Sequence, residues 1–130
     1  MADLKVLIID SNYNFSRIAK SFLLAKYLVT EVETSTDSAE VLQALDKFEP
    51  ELLLVDEILL RDGSIRPGFL SLLKDKLPFA KIFLMVLYPQ TYSFNDFPWI
   101  EHFSGRISKQ DFAMDIIVLI NSCFNRSAKD

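Results

Sequence analysis

The order of apolar runs along the chain predicts an α/β domain, a doubly wound five-stranded parallel sheet with helices on both faces. Three observations carry this expectation. Five short apolar runs recur at regular intervals: Lys5–Ile9, Leu28–Glu33, Leu52–Val55, Ile82–Leu87 and a weaker one at Arg106–Ser108. Three of them (Val6-Leu7-Ile8-Ile9, Leu52-Leu53-Leu54-Val55 and Ile82-Phe83-Leu84-Met85-Val86) are almost continuously hydrophobic, as strands covered on both faces must be. Amphipathic helical patterns separate the runs, and strands that alternate with helices need crossover connections, which make the sheet parallel.

The first run ends at Asp10. Phe15, Ile18, Ala19, Phe22 and Leu23 then follow helical spacing, with Asn12 or Asn14 as candidate cap. The second run, Val29-Thr30-Glu31-Val32-Glu33-Thr34, alternates apolar and polar, which suits an edge strand with one wet face. Ala39, Leu42, Leu45 and Phe48 form the next helical stripe, and Asp37 with Glu40 has capping-box spacing. A third helix starts near Pro67, carries Phe69, Leu70, Leu72 and Leu73, and stops at Leu77-Pro78. From Pro89 to Phe103 the chain is rich in aromatic residues but broken by Pro98. The fourth helix is therefore expected to be short or irregular. The last helix runs from about Gln110 to Phe124.

Composition narrows the function classes. Half of the 130 residues are hydrophobic and a quarter charged, an ordinary balance for a folded domain. The net charge is −4, so no basic stripe is available to neutralise nucleic-acid phosphates. The longest uncharged apolar stretch, Ile82 to Tyr88, is far below the ~20 residues that span a bilayer. The single cysteine, Cys123, excludes an internal disulfide and suits a reducing compartment. The expectation is one cytoplasmic domain over residues 1–130 with no output domain, and neither nucleic acid nor membrane as partner.

In open parallel sheets, functional groups gather at the carboxyl ends of the strands. There the sequence puts Asp10 and Ser11 after the first strand, Asp56 after the third and Lys109 after the fifth. Two carboxylates and one ammonium meeting in a crevice would form an oxygen-rich pocket suited to a hard cation such as Mg2+. Lys109 would offer a point charge to a phosphoryl oxygen. With three glycines in the whole chain and no glycine loop to cradle a phosphate, the sequence argues against a nucleotide- or flavin-binding protein of similar architecture.

The segments Val6-Leu7-Ile8-Ile9-Asp10-Ser11, Leu53-Leu54-Val55-Asp56 with Asp62-Gly63 following, and Gly105-Arg106-Ile107-Ser108-Lys109 resemble the strand-end motifs of response-regulator receiver domains, the CheY-like family, in order and separation from Lys5 to Phe124. The resemblance implies a flavodoxin-like sheet of order 2-1-3-4-5. It also implies Mg2+-assisted transfer of a phosphoryl group to an aspartate from a histidine kinase, a phosphorelay protein or a small phosphodonor, within a bacterial-type two-component system. By position, Asp56 would be the nucleophile and Lys109 the phosphoryl contact. Asp10, Asp56 and the Ile58 carbonyl would hold the metal, with Ser11 a weak further ligand. Any enzymatic activity would be at most self-phosphorylation and autodephosphorylation at Asp56.

Several positions depart from that pattern. Ser11 replaces a second acid, which weakens Mg2+ binding. Val86 aligns with the family's switch hydroxyl and cannot donate a hydrogen bond. Arg106 aligns with the switch aromatic on strand five, Gln110 replaces the proline after the lysine, and the loop from Asp56 to Gly63 is one residue short. Two functions therefore stand side by side: a phosphoacceptor that signals by protein contact, and a degenerate receiver that serves as a phosphorylation-independent interaction or dimerisation module.

Other residues have plain structural roles by this reading. His102 decorates a loop, Cys123 is a small core hydrophobe, Asp62-Gly63 is a turn, and strand alternation aims Glu57 away from the site. In the last helix Phe112, Ile116, Leu119, Ile120 and Cys123 suffice for the core, which leaves Ile117 and Val118 over. With Trp99 and Phe103 they would form an exposed partner face, such as that of a homodimer, unless the aromatic segment folds over them.

Overall fold

The computed structural model describes residues 4–26, 29, 31–87 and 100–124. Five strands, β1 (Lys5–Ile9), β2 (Glu31–Ser35), β3 (Leu52–Asp56), β4 (Lys81–Val86) and β5 (Gly105–Ser108), form one sheet of order β2-β1-β3-β4-β5. Every pairing is parallel. The helices are α1 (Tyr13–Ala25), α2 (Ser38–Leu45), α3 (Glu57–Arg61), α4 (Pro67–Lys76) and α5 (Phe112–Phe124).

Burial follows from this order. β3 lies between two neighbours and under helices on both faces, and all five of its residues are buried. β2 is the edge strand that the alternating run predicts, and it is the less covered one: Val32 and Ser35 are buried, Glu33 and Thr34 exposed. Side chains alternate across the sheet, so there are two cores. Val6, Ile8, Leu52, Leu54, Met85 and Ile107 pack under α1 and α5. Leu7, Ile9, Val55, Ile82, Leu84 and Val86 pack under α2, α3 and α4.

Local signals set the helix starts. The Asn12 side chain accepts from the Phe15 backbone N–H at 3.0 Å and begins α1. Asp37 accepts from Glu40 N–H at 2.9 Å, while the Glu40 carboxylate reaches back to Thr36 N–H and hydroxyl at 2.6 and 2.7 Å. This is a capping box displaced by one residue. Pro67 opens α4, where its missing N–H costs nothing. Asp62 and Gly63 form a turn, with Ser64 N–H donating to the Asp62 carboxylate at 2.8 Å and Gly63 at φ +81°, a conformation that glycine adopts without strain.

Several expectations need correction, and one element was not expected. Ile18 is 61% exposed, because Phe15, Ala19, Phe22 and Leu23 already fill the face of α1 turned to the core. On α2 the inward stripe is Val41, Ala44, Leu45 and, beyond the helix end, Phe48, so Ala39 and Leu42 lie outside it. Cys123 is half-buried at the margin of its core rather than within it. The five-residue helix α3, directly after β3, has no counterpart in the sequence expectations. Most of the segment from Pro89 to Phe103, where a short or irregular fourth helix is expected, lies outside the described residues; at its described end a 3-10 turn, Ile100–His102, precedes β5. Among the described residues no helix is long and apolar enough to cross a membrane.

Candidate functional site

Asp10 follows β1, Asp56 closes β3 and Lys109 follows β5. Each lies two residues beyond a side chain that points into the α1/α5 core (Ile8, Leu54 and Ile107), so alternation sends all three to the same side of the sheet. They meet there. The Lys109 ammonium lies 2.7 Å from Asp10 Oδ2 and 3.6 Å from Asp56 Oδ1. Asp10 is 0% and Asp56 2% exposed.

The surrounding chain holds these groups in place. Asn12 N–H donates to Asp10 Oδ1 at 2.8 Å, and Lys109 N–H donates to the Val86 carbonyl at 2.7 Å, extending the β4–β5 ladder by one bond. The Lys109 ammonium also sits 4.4 Å from the centre of the Phe15 ring, a cation–π contact. Phe15 in turn meets Phe112 edge-to-face at 5.4 Å. Phe15 therefore helps to direct the lysine inward, a role that helical periodicity, which assigns it only to the core, does not reveal.

The electrostatics are those of a carboxyl pair with one counter-charge. Burial pushes the Asp56 carboxyl up from 3.8 to about 6, and the neighbouring Asp10 charge adds to this; Lys109 and the Ile58 backbone N–H pull the other way. Two oxygens, Asp10 Oδ2 and Asp56 Oδ1, are buried and accept no hydrogen bond. The ammonium is close to Asp10 in distance but poorly angled, so it answers their charge better than their lone pairs.

The remaining candidate residues are placed as follows. Ser11 is exposed at the mouth of the site. The Ile58 carbonyl accepts from Asp62 N–H at 2.9 Å; a helical carbonyl points towards the C-terminal end of its helix, so it is aimed away from Asp56 at the start of α3. Glu57 is buried on the opposite side, ion-paired to Arg61 at 3.0 Å. Val86 lies in the α2/α3/α4 core, on the other face from the two carboxylates. The strand-four residue level with Asp56 is Met85, and the next of that parity is Leu87. Neither carries a hydroxyl, and a parity count from Asp56 would have found them. Arg106 is exposed beside a cavity of about 420 Å3 that Val118 and Cys123 also line.

Of the four residues expected on a partner face, Trp99 is outside the described residues. Phe103 is half-buried against the α2/α3/α4 core and Ile117 against the α1/α5 core, so the sheet separates them. Val118 is 64% exposed. His102 sits on the 3-10 turn, its Nε2 3.8 Å from Glu101 Oε1.

No family model matches the chain, and no curated protein matches it. Solved structures do. A two-component response regulator from Clostridium difficile superposes with a TM-score of 0.77 at 16% identity, over 95% of this chain and 98% of that one. The isolated REC domain of RcsB from Salmonella enterica serovar Typhimurium, in its apo form, gives 0.75 at 16% identity over 98% and 92% of the two chains. The chain has the receiver-domain fold. In the Salmonella typhimurium RcsB response regulator, at 17% identity and a TM-score of 0.70, this receiver-like chain spans only 64% of the longer protein.

Receiver domains generally bind Mg2+, and the residues at this receiver-like rim can be tested against that ion. Two buried carboxylate oxygens without hydrogen bonds are donors a hard cation would take. Among the described residues no third His, Cys, Asp or Glu joins them, and the Ile58 carbonyl is turned away. Asp10 and Asp56 would therefore suit a Mg2+ that keeps several of its waters, in competition with Lys109.

Proposed function

We propose that the protein is a two-component signalling receiver that accepts a phosphoryl group on Asp56 and passes its state on through protein contact. The carrying observation is the meeting of Asp10, Asp56 and Lys109 at one rim of the sheet. In this reading a carboxylate oxygen of Asp56 attacks phosphorus, the bond from phosphorus to the donor's leaving group breaks, and an acyl phosphate results. The nucleophile needs no base, because a carboxyl with a pKa near 6 is mostly ionised at neutral pH. Catalysis then reduces to positioning and charge neutralisation. Lys109, 3.6 Å from Asp56 Oδ1, is within reach of a phosphoryl oxygen on that atom. Mg2+, when bound by Asp10 and Asp56, supplies positive charge to the same oxygens. The donor is a histidine kinase or phosphorelay protein, the domain works in the cytoplasm, and the α5 surface around exposed Val118 offers a partner contact.

Incubation with acetyl phosphate and Mg2+, followed by intact-mass measurement, tests the reading. One phosphoryl adduct is expected on the wild type and none on Asp56→Ala. An unmodified wild type, or an adduct that survives the substitution, overturns it.

A second reading, a phosphorylation-independent interaction module, is favoured by the lack of a hydroxyl at Met85, Val86 and Leu87 and by the closer tie of Lys109 to Asp10 than to Asp56. Partner binding unaltered by Asp56→Asn would support this second reading.

A further inference from the structure

Two leucines that helical spacing assigns to the core do not reach it. Leu42 on α2 and Leu72 on α4 remain 38% and 40% exposed. With Leu45 and Leu77 they line a groove of about 430 Å3 between the two helices. Where α2 leads into β3 and α4 into β4, the groove meets a second cavity of about 300 Å3, walled by Pro50, Glu51, Pro78 and Ala80; Glu49, Lys76 and Leu77 border both. Phe79 stands at the edge of this second cavity, 95% exposed. A phenyl ring set wholly in water beside an open apolar cavity is the feature of this surface that folding alone leaves unexplained.

The two lips carry opposite charge. The lip from α2 to β3 has Asp46 and Glu49, and the lip from α4 to β4 has Lys76. Among the described residues none of these three side chains forms an ion pair.

We propose that this groove is a self-association surface, closed by a second copy of the chain about a two-fold axis lying along the groove. Such an axis sets each lip against the opposite lip of the partner. The acidic side of one copy then meets the basic side of the other, twice. The same operation brings Phe79, on the α4–β4 lip, over the partner's cavity against Pro50 on the α2–β3 lip. Knob, hole and both charge signs lie on one patch, which is what an isologous contact requires and what a partner of uniform charge would not match. The groove lies away from Asp10, Asp56 and Lys109, so the inference is independent of phosphorylation.

Sedimentation equilibrium on the full chain tests it. The wild type should dimerise with a dissociation constant on the order of 10 μM, and Phe79→Ser, which removes no core contact, should weaken it at least about tenfold. Glu49→Lys and Lys76→Glu should each weaken the homodimer, and an equimolar mixture of the two variants should recover a heterodimer, because the reversed charges match across the axis. A wild type that stays monomeric at the highest soluble concentration would leave the groove to a different protein and overturn the proposal. A dimer that persists in Phe79→Ser, or variants that fail to complement one another, would do the same.

Discussion

Asp56 should make the protein more stable as the pH is lowered from 7 to 5, the reverse of the usual acid weakening of salt-bridged carboxylates. Its carboxyl titrates near 6 in the folded chain against 3.8 for the unperturbed group. Between these values the folded state holds a proton that the unfolded state has lost. Stability is therefore gained as pH falls through about 6, levels off below 3.8, and is lacking at neutral pH. The displacement from 3.8 to about 6 is worth at most about 3 kcal/mol. Only the part of that displacement lying above pH 5 is realised in this window, so a gain of about 1 kcal/mol between pH 7 and pH 5 is expected. Urea unfolding followed by far-UV circular dichroism, run in parallel on wild type and Asp56→Asn, isolates this group from other titrations. The variant should be the more stable protein at pH 7, and the gap should narrow by about 1 kcal/mol at pH 5. A gap that is unchanged or wider at pH 5 would refute the picture of a carboxylate held ionised against burial and against Asp10.

Two further substitutions probe the same architecture. Lys109→Met removes the ammonium from two buried carboxylates and should cost about 3–5 kcal/mol at pH 7; urea midpoints should show most of that loss recovered when Asp56→Asn is added. Gly105→Ala would put a Cβ 2.9 Å from the Phe83 ring, itself 9% exposed, and the overpacking should lower stability by about 1–3 kcal/mol. A melting temperature equal to that of wild type would show that the ring moves freely.

The fold was legible because its signals are local and repeated. Continuous apolar runs mark β1, β3 and β4, an alternating run marks β2, and caps at Asn12 and Asp37 mark helix starts whatever the rest of the chain does. The convergence of Asp10, Asp56 and Lys109 was legible too, since strand-end position and topology together bring the residues to one rim. Less visible was α3: five residues carry too little periodicity to distinguish a helix from the apolar run before it. The orientation of Val86 was missed because alignment by motif ignores parity. A shift of one residue along a strand exchanges the faces of the sheet, which puts Met85, not Val86, level with Asp56. On α2 and α4, leucines at helical spacing outnumber the places available in the core. Spacing therefore could not decide that Val41 goes in while Leu42 stays half in water.

By itself the sequence determined which elements form, their order, and which chemistry-bearing side chains end each strand, because these depend on near neighbours and on the two periodicities of the backbone. Only the tertiary structure decided how the charges pair. It draws Lys109 closer to Asp10 than to Asp56, turns the Ile58 carbonyl along a helix away from the site, divides Phe103 from Ile117 by a sheet, and leaves Phe79 in water. Each of these depends on distances between residues far apart in the chain, and interaction energies at such contacts change over a single ångström.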